Sequence, residues 1–175
     1  VDQFRYDYLP RFSDEYTGGL KTLLERGANF SNAHLEHYPS VTAVGHATML
    51  SGATPALSGI IGNNWYDRES RGEVTSVSDD DSVLLGVPGS LPGATPHRLL
   101  VDTVGDELKR SGSSESKVFG ISMKDRGAIL PAGHMADAAY WYHVPTGSYV
   151  SSDFYFAELP QWVKAFNAAR HTRQF

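Results

Sequence analysis

Leu99-Leu100-Val101-Asp102-Thr103-Val104-Gly105-Asp106-Glu107-Leu108-Lys109-Arg110, closed by Ser111-Gly112 and soon followed by Lys117-Val118-Phe119-Gly120-Ile121-Ser122, is where the fold class becomes readable. Leu99, Leu100, Val104 and Leu108 recur at i, i+1, i+5 and i+9, close to one face of a helix. Lys109-Arg110 place positive charge in its last turn and Gly112 stops it. After a Ser-rich turn, Lys117 to Ser122 has the composition of a short strand. A helix that hands over directly to a strand predicts α/β layering.

Working outward, Leu20, Leu23 and Leu24 fall at helical spacing between Asp14 and Gly27, with Lys21, Glu25 and Arg26 outside and Gly27 as C-cap. Thr42 to Leu50 carries Val44, Ala47, Met49 and Leu50 and ends at Ser51-Gly52, which predicts a short helix with Thr42 at its N-cap. Residues 67–97, rich in Ser, Gly, Pro and Asp, read as a long loop with one strand at Ser82 to Val87. Within it, Asp79-Asp80-Asp81 reads as a solvated acidic turn, because a calcium loop needs spaced oxygen ligands and a closing Glu. Downstream, Ala139 to His143 and Ser148 to Ser152 flank Pro145-Thr146-Gly147, a hairpin pattern, and Pro160 suits the first turn of a helix from Gln161 to Ala169.

The chain has 175 residues, 41% hydrophobic and 11% aromatic, enough to bury a core and too apolar for disorder. Its net charge of −5 removes the broad positive field that duplex nucleic acid requires, so any anion site is local. The absence of cysteine excludes disulfides, thiolate zinc sites and a cysteine nucleophile, which leaves Asp, Glu, His and hydroxyls as metal donors. No apolar run approaches the ~18 residues of a membrane span. The chain starts at Val1 with no initiator Met and no apolar leader, which reads as a processed or cut N-terminus. No internal repeat has a fixed period.

Three segments bring together residue types suited to phosphoryl or sulfuryl transfer. Val1-Asp2-Gln3-Phe4-Arg5 puts an acid where a strand would end, and such a carboxylate could ligate a metal at the carboxyl edge of a sheet. By itself Asp2 reads as a turn or capping residue. Pro39-Ser40-Val41-Thr42-Ala43-Val44-Gly45-His46 places a hydroxyl at a helix start, where free N–H groups and the dipole favour an alkoxide and a phosphate; taken singly, Thr42 is an ordinary cap. Asn63-Asn64-Trp65-Tyr66-Asp67 and Ser122-Met123-Lys124-Asp125-Arg126 supply an amide and two cations for non-reacting phosphoryl oxygens, although Lys124 and Arg126 alone read as a solvated turn.

Together, the segments 1–9, 39–46, Gly59-Ile60-Ile61-Gly62-Asn63-Asn64-Trp65-Tyr66-Asp67 and Lys124-Asp125-Arg126-Gly127-Ala128-Ile129-Leu130-Pro131-Ala132-Gly133-His134 strongly resemble the alkaline phosphatase superfamily. Within it they are most similar to the type I phosphodiesterase/nucleotide pyrophosphatase group, especially its bacterial threonine-nucleophile alkaline phosphatases. The match continues to Glu158-Leu159-Pro160-Gln161-Trp162-Val163. The resemblance implies an alkaline-phosphatase-like α/β fold with a mostly parallel central sheet flanked by helices. It implies that Asp2 ligates zinc, that Thr42 is the nucleophile and binds the same zinc, and that Asn63, twenty-one residues on, contacts a phosphoryl oxygen. Lys124 and Arg126 match the pair that favours monoesters over diesters. Two zinc ions, a phosphothreonine intermediate, a small-molecule phosphate ester substrate and a periplasmic or secreted location are implied likewise.

The physics is consistent with those roles. Zinc lowers the pKa of a coordinated hydroxyl, and two fixed cations suit a monoester dianion better than a singly charged diester. The resemblance supplies further zinc ligands from downstream sequence: an Asp with a His four residues on, an Asp-His pair and another His. No equivalents occur here, and Asp2 with Thr42 are too few donors for a zinc site. Residues 1–175 are therefore expected to be the N-terminal part of one larger catalytic domain. The rival readings are a phosphodiesterase or nucleotide pyrophosphatase of the same fold, and a non-catalytic binding domain. A sulfatase fails, because its formylglycine precursor and an Arg four residues on are replaced by Thr42 and His46.

None of the seven histidines has metal-pair spacing, so most are expected to be surface or locally hydrogen-bonded residues, with His46 and His134 as structural supports near the pocket. Trp65-Tyr66 and Tyr140-Trp141-Tyr142 could stack a nucleobase, but packing accounts for them better.

Overall fold

The structure, a computed structural model, describes residues 3–112 and 115–170, in two units, Val1–Tyr38 and Pro39–Phe175. The first unit holds a one-turn helix α1 (Tyr8–Arg11), a 3-10 turn at Ser13–Glu15 and α2 (Gly18–Arg26). Helix α2 is the one predicted between Asp14 and Gly27, and Gly27 caps it with an extended backbone while its N–H donates to the Leu23 carbonyl at 2.9 Å. Leu20 and Leu23 are exposed.

The second unit runs α3 (Thr42–Ser51), α4 (Pro55–Ser58), β1 (Asn64–Asp67), β2 (Gly72–Thr75), β3 (Ser78–Leu85), β4 (Pro92–Ala94), α5 (Val104–Arg110), β5 (Phe119–Ser122), α6 (Asp125–Ala132), β6 (Ala138–His143), β7 (Ser148–Ser152) and α7 (Gln161–Ala168). Strands β1 and β2 form an antiparallel hairpin, and the other five form one sheet in the order β4-β3-β7-β6-β5. The predicted α/β layering is present, and β5 does follow α5.

The expectation of a mostly parallel sheet is corrected among the described residues. Only β5 and β6 run parallel, with Phe119 opposite Ala138, while β6–β7, β3–β7 and β3–β4 are antiparallel. The cause is connection length. Helix α6 carries the chain back to the same end of the sheet between β5 and β6, whereas the tight turn between His143 and Ser148, with Gly147 at φ +67, can only reverse it.

Residues 67–97 are not a long loop, since β2, β3 and β4 lie within them and β1 ends there. Strand β3 begins at Ser78 and takes in the acidic run that reads as a turn. Of its two buried positions Leu84 joins the core, and Ser82 is satisfied by polar pairing: its Oγ lies 2.6 Å from Ser152 Oγ and 2.6 Å from Asp153 Oδ1, which also accepts the Val83 N–H at 2.8 Å. A strand that opens on an acidic run and buries one hydroxyl beside one leucine shows little apolar alternation.

Helix α5 begins five residues later than Leu99. Thr103 caps it, and the Thr103 hydroxyl and the Asp106 carboxylate exchange hydrogen bonds with each other's backbone N–H. Leu99 is buried ahead of the helix, and Leu100, Val104 and Leu108 are exposed, so the four leucine and valine positions do not form one core face. Helix α6 has no counterpart in the sequence reading, because Gly127 and Pro131 mask its periodicity; Pro131 sits in its last turn. Pro160 is the N-cap of α7 and lies just outside its first turn.

The core gathers Ile60, Val77, Leu99, Ile129, Leu130, Trp141 and Val150. Helix α3 packs on α6, with Ala43, Ala47 and Ala128 wholly buried. Helix α6 also lies directly on β5: a Cβ at Gly120 would collide with the Ala128 carbonyl oxygen, so a side chain there would force the layer apart.

Candidate active site

Thr42 is the first residue of α3 and half-buried, and the N-cap is Val41, in extended conformation at φ −77 and ψ 167. The sequence reading of Thr42 as the cap is thus corrected by one position, and its hydroxyl sits inside the first turn. Asn63 completes the cap from the other side of α4: its Oδ1 accepts the Ala43 N–H at 2.9 Å. Only an oxygen can accept there, so the Nδ2 donors point away from the helix. The amide therefore satisfies one orphan donor of α3 while keeping two donors for another acceptor.

Lys124 and Arg126 bracket the start of the second helix. Lys124 is the N-cap of α6 and exposed, and its Nζ makes no ion pair among the described residues. Arg126 is different, since only 20% of its side chain is exposed. Its Nε is buried with no hydrogen-bond partner among the described residues, and its Nη1 lies 3.6 Å from Asp125 Oδ1. A guanidinium held largely out of water with an unused donor is unusual, because buried polar groups are normally paired.

His46 links the two helix starts. Its Nδ1 lies 2.8 Å from the Thr42 carbonyl, which can only accept, so Nδ1 carries the proton and Nε2 the lone pair of the neutral ring. A Cβ built on Gly127 would lie 3.6 Å from His46 Nε2 and 2.6 Å from Ser122 Oγ. One imidazole therefore reaches from the turn that carries Thr42 to the turn that carries Arg126. Below them a groove of about 390 Å³ runs between α3, α5, β5 and α6, with His46, Ser122 and Gly127 on its wall.

Asp2, the expected metal aspartate, lies outside the described residues, as does His171. Of the other histidines, His143, His34 and His97 bond neighbours within three residues, as the sequence predicts, whereas His134, expected as a support near the pocket, reaches a distant carbonyl from the far end of α6. His143 meets Thr146 Oγ1 at 2.9 Å, His34 meets Asn32 Oδ1 at 2.8 Å, and His134 Nε2 donates to the Leu99 carbonyl at 2.8 Å. His97 lies 2.8 Å from Thr95 Oγ1, and burial holds its pKa below the usual histidine range. Tyr140 and Trp141 are buried in the core, which supports packing over base stacking for that pair.

One grouping escapes the sequence reading. Asp102, Asp106 and His134 bring ligand atoms within 4.8 Å of one another and could hold a metal. Asp106, however, spends both oxygens on Thr103 and Met135 N–H groups, and Asp102 is paired with Arg110. His134 follows the C-terminal end of α6, about 12 Å along that helix from the end that bears Arg126. The cluster fastens α5 to the end of α6, and the Thr103-x-x-Asp106 pattern was the available signal.

Solved structures of PafA share this fold, and several curated proteins are similar to the chain in sequence. The chain is 45% identical over 97% of its length to alkaline phosphatase PhoV of Synechococcus elongatus, and 42% identical over its whole length to a Myroides odoratus protein named calcium-transporting ATPase. It is 41% identical over 95% of its length to alkaline phosphatase PafA of Elizabethkingia meningoseptica. A crystal structure of wild-type PafA superposes with a TM-score of 0.90 at 41% identity, covering 97% of this chain, and a PafA structure with four substitutions superposes at 0.92. The fold is therefore alkaline-phosphatase-like. The chain spans about a third of the length of these relatives, 31% of PhoV and 33% of the PafA chain. The family profile of type I phosphodiesterase / nucleotide pyrophosphatase matches residues 1–174, and the chain belongs to that family.

Proposed function

We propose that the protein carrying this chain is a zinc-dependent phosphate monoesterase in which Thr42 is the nucleophile and Asn63, Lys124 and Arg126 bind the phosphoryl oxygens. The observation that carries the reading is the Arg126 guanidinium, four-fifths buried, with an unpartnered Nε at the start of α6. Such a group is stabilised by an anion that supplies the missing acceptor. The N–H groups of the first turns of α3 and α6 favour the same negative charge.

The four substitutions of the PafA variant support the choice of residues. They fall at a threonine, an asparagine, a lysine and an arginine, and the separations of the first pair (twenty-one) and of the second pair (two) equal those from Thr42 to Asn63 and from Lys124 to Arg126.

In the proposed reaction the Thr42 oxygen attacks phosphorus, the P–O bond to the alcohol breaks, and the alcohol departs with a proton. Water then cleaves the phosphothreonine and releases inorganic phosphate. Asn63 Nδ2, Lys124 Nζ and Arg126 donate to the non-bridging oxygens, whose charge is largest in a monoester dianion; a diester presents less charge to two fixed cations. Zinc accepts oxygen donors, and Thr42 with Asp2 would supply two of the four or so that it needs, the zinc in turn lowering the pKa of the hydroxyl. The ligand role of Asp2 rests on the family resemblance.

The relatives' length supports placing residues 1–175 within one larger catalytic domain. Among the described residues no helix is long and apolar enough to cross a membrane. A periplasmic or secreted location belongs to the same proposal and is supported by the kinship with alkaline phosphatases.

The test compares p-nitrophenyl phosphate with its bis-ester on the purified natural protein supplied with zinc. Faster monoester turnover, abolished by Thr42→Ala and selectively weakened by Lys124→Ala/Arg126→Ala, is expected. A diester preference that survives the double variant would move the protein to the phosphodiesterase reading, and no turnover of either would leave a non-catalytic domain.

A further inference from the structure

We propose that Asp125 is a positioning residue for Arg126 and that its charge weakens the hold of the site on inorganic phosphate, so that product leaves. The inference rests on the function proposed above.

Asp125 is the first residue of α6 and stands between the two cations. Its Oδ1 accepts the Arg126 N–H at 2.7 Å and lies 3.6 Å from Arg126 Nη1. The first contact is a strong hydrogen bond. The second is too long to be one and acts as electrostatic attraction. The difference matters for an anion site. A carboxylate bound bidentately to Arg126 would use up the edge that recognises phosphate. Here the carboxylate touches one end of the fork and leaves Nε without a partner. It thus orients the guanidinium without occupying it.

The charge has a second effect. Lys124 and Arg126 contribute two positive charges and Asp125 removes one of them, all within three consecutive residues. An acidic residue in a first helical turn also favours the dipole, which is a role in stability alone. Beside a phosphate site it additionally repels the dianion, and at separations of several ångströms in a partly solvated cleft one unit charge changes affinity by about tenfold. Partial exposure keeps this repulsion sensitive to salt: 31% of the Asp125 side chain is accessible.

The experiment measures inhibition by inorganic phosphate, together with direct calorimetric binding of phosphate, on the purified natural protein and on Asp125→Asn and Asp125→Ser. Asn and Ser each retain an oxygen that can accept the Arg126 backbone N–H without the charge. The expected result is that Asp125→Asn and Asp125→Ser both bind phosphate about tenfold more tightly at low salt and that the gain shrinks in high salt. Unchanged or weaker phosphate binding in folded Asp125→Asn, with the parent protein binding phosphate normally, overturns the role of Asp125 alone. Absence of phosphate binding in the parent protein overturns the functional reading beneath it and the inference with it.

Discussion

Asp106 offers the sharpest test of how α6 is anchored. It has no exposed surface, and it accepts three hydrogen bonds: Oδ2 from the Thr103 N–H at 2.7 Å and from Thr103 Oγ1 at 3.0 Å, and Oδ1 from the Met135 N–H at 2.7 Å. Asp106→Ala orphans two backbone N–H groups, each costing about 1–3 kcal/mol. The Thr103 hydroxyl loses less, because the Ala132 carbonyl is 3.4 Å away and can accept from it. Relief of the buried charge's desolvation offsets part of the loss, so the net cost is about 3 kcal/mol. Asp106→Asn keeps one acceptor oxygen. Whichever way the amide turns, its NH₂ faces a backbone N–H, so one donor is orphaned and the cost is about 1–2 kcal/mol. For a cooperative unit of 150–250 residues each kcal/mol moves the melting temperature by about 2–4 °C, and by less in a larger one, so Ala loses at most ~10 °C and Asn about half as much as Ala. Urea and thermal unfolding followed by circular dichroism measure both. Equal losses for the two variants, or losses below ~0.5 kcal/mol, would refute the argument that orphaned N–H groups set the cost.

Asn63 separates stability from chemistry. Asn63→Asp keeps an acceptor for the Ala43 N–H and should melt as the parent does, Asn63→Ala should lose about 1 kcal/mol of cap energy, and both should lose monoesterase activity because the Nδ2 donors are gone. Gly120→Ala drives a Cβ into the Ala128 carbonyl of α6 and should cost about 3 kcal/mol, read as loss of soluble folded protein and a lowered urea midpoint. Asp137 is held at about 2, first by the side-chain hydrogen bond from Lys109 and then by the Val118 N–H and Lys117. A carboxyl lowered in the folded state stabilises above its unfolded pKa and ceases to do so as pH falls from about 4 to about 2; Asp137→Asn should therefore reduce stability at neutral pH and flatten acid unfolding in that window.

Legibility followed the range of the interaction responsible. The helix at Thr42–Ser51 and the hairpin around Pro145-Thr146-Gly147 are readable because caps, turns and spacing lie within a few residues of one another. Strand β3 is legible only from Ser82 onward; its first half is an acidic run, and the buried Ser82 hydroxyl is satisfied by Ser152 and Asp153, some seventy residues away. Helix α6 is hidden because its glycine and proline make sense only against β5 and α3. The candidate residues Thr42, Asn63, Lys124 and Arg126 stand out through family resemblance over four blocks; no single block nominates them.

Residue order alone thus settles the family and the elements whose causes are local: the hydroxyl near a helix start, the amide twenty-one positions on and the two cations two apart. Tertiary packing decides the direction of each strand, the capping of α3 by Asn63 and the burial of Arg126 beside Asp125. Those properties arise only when segments distant along the chain exclude water from one another, and that exclusion turns an ordinary surface arginine into a donor lacking an acceptor.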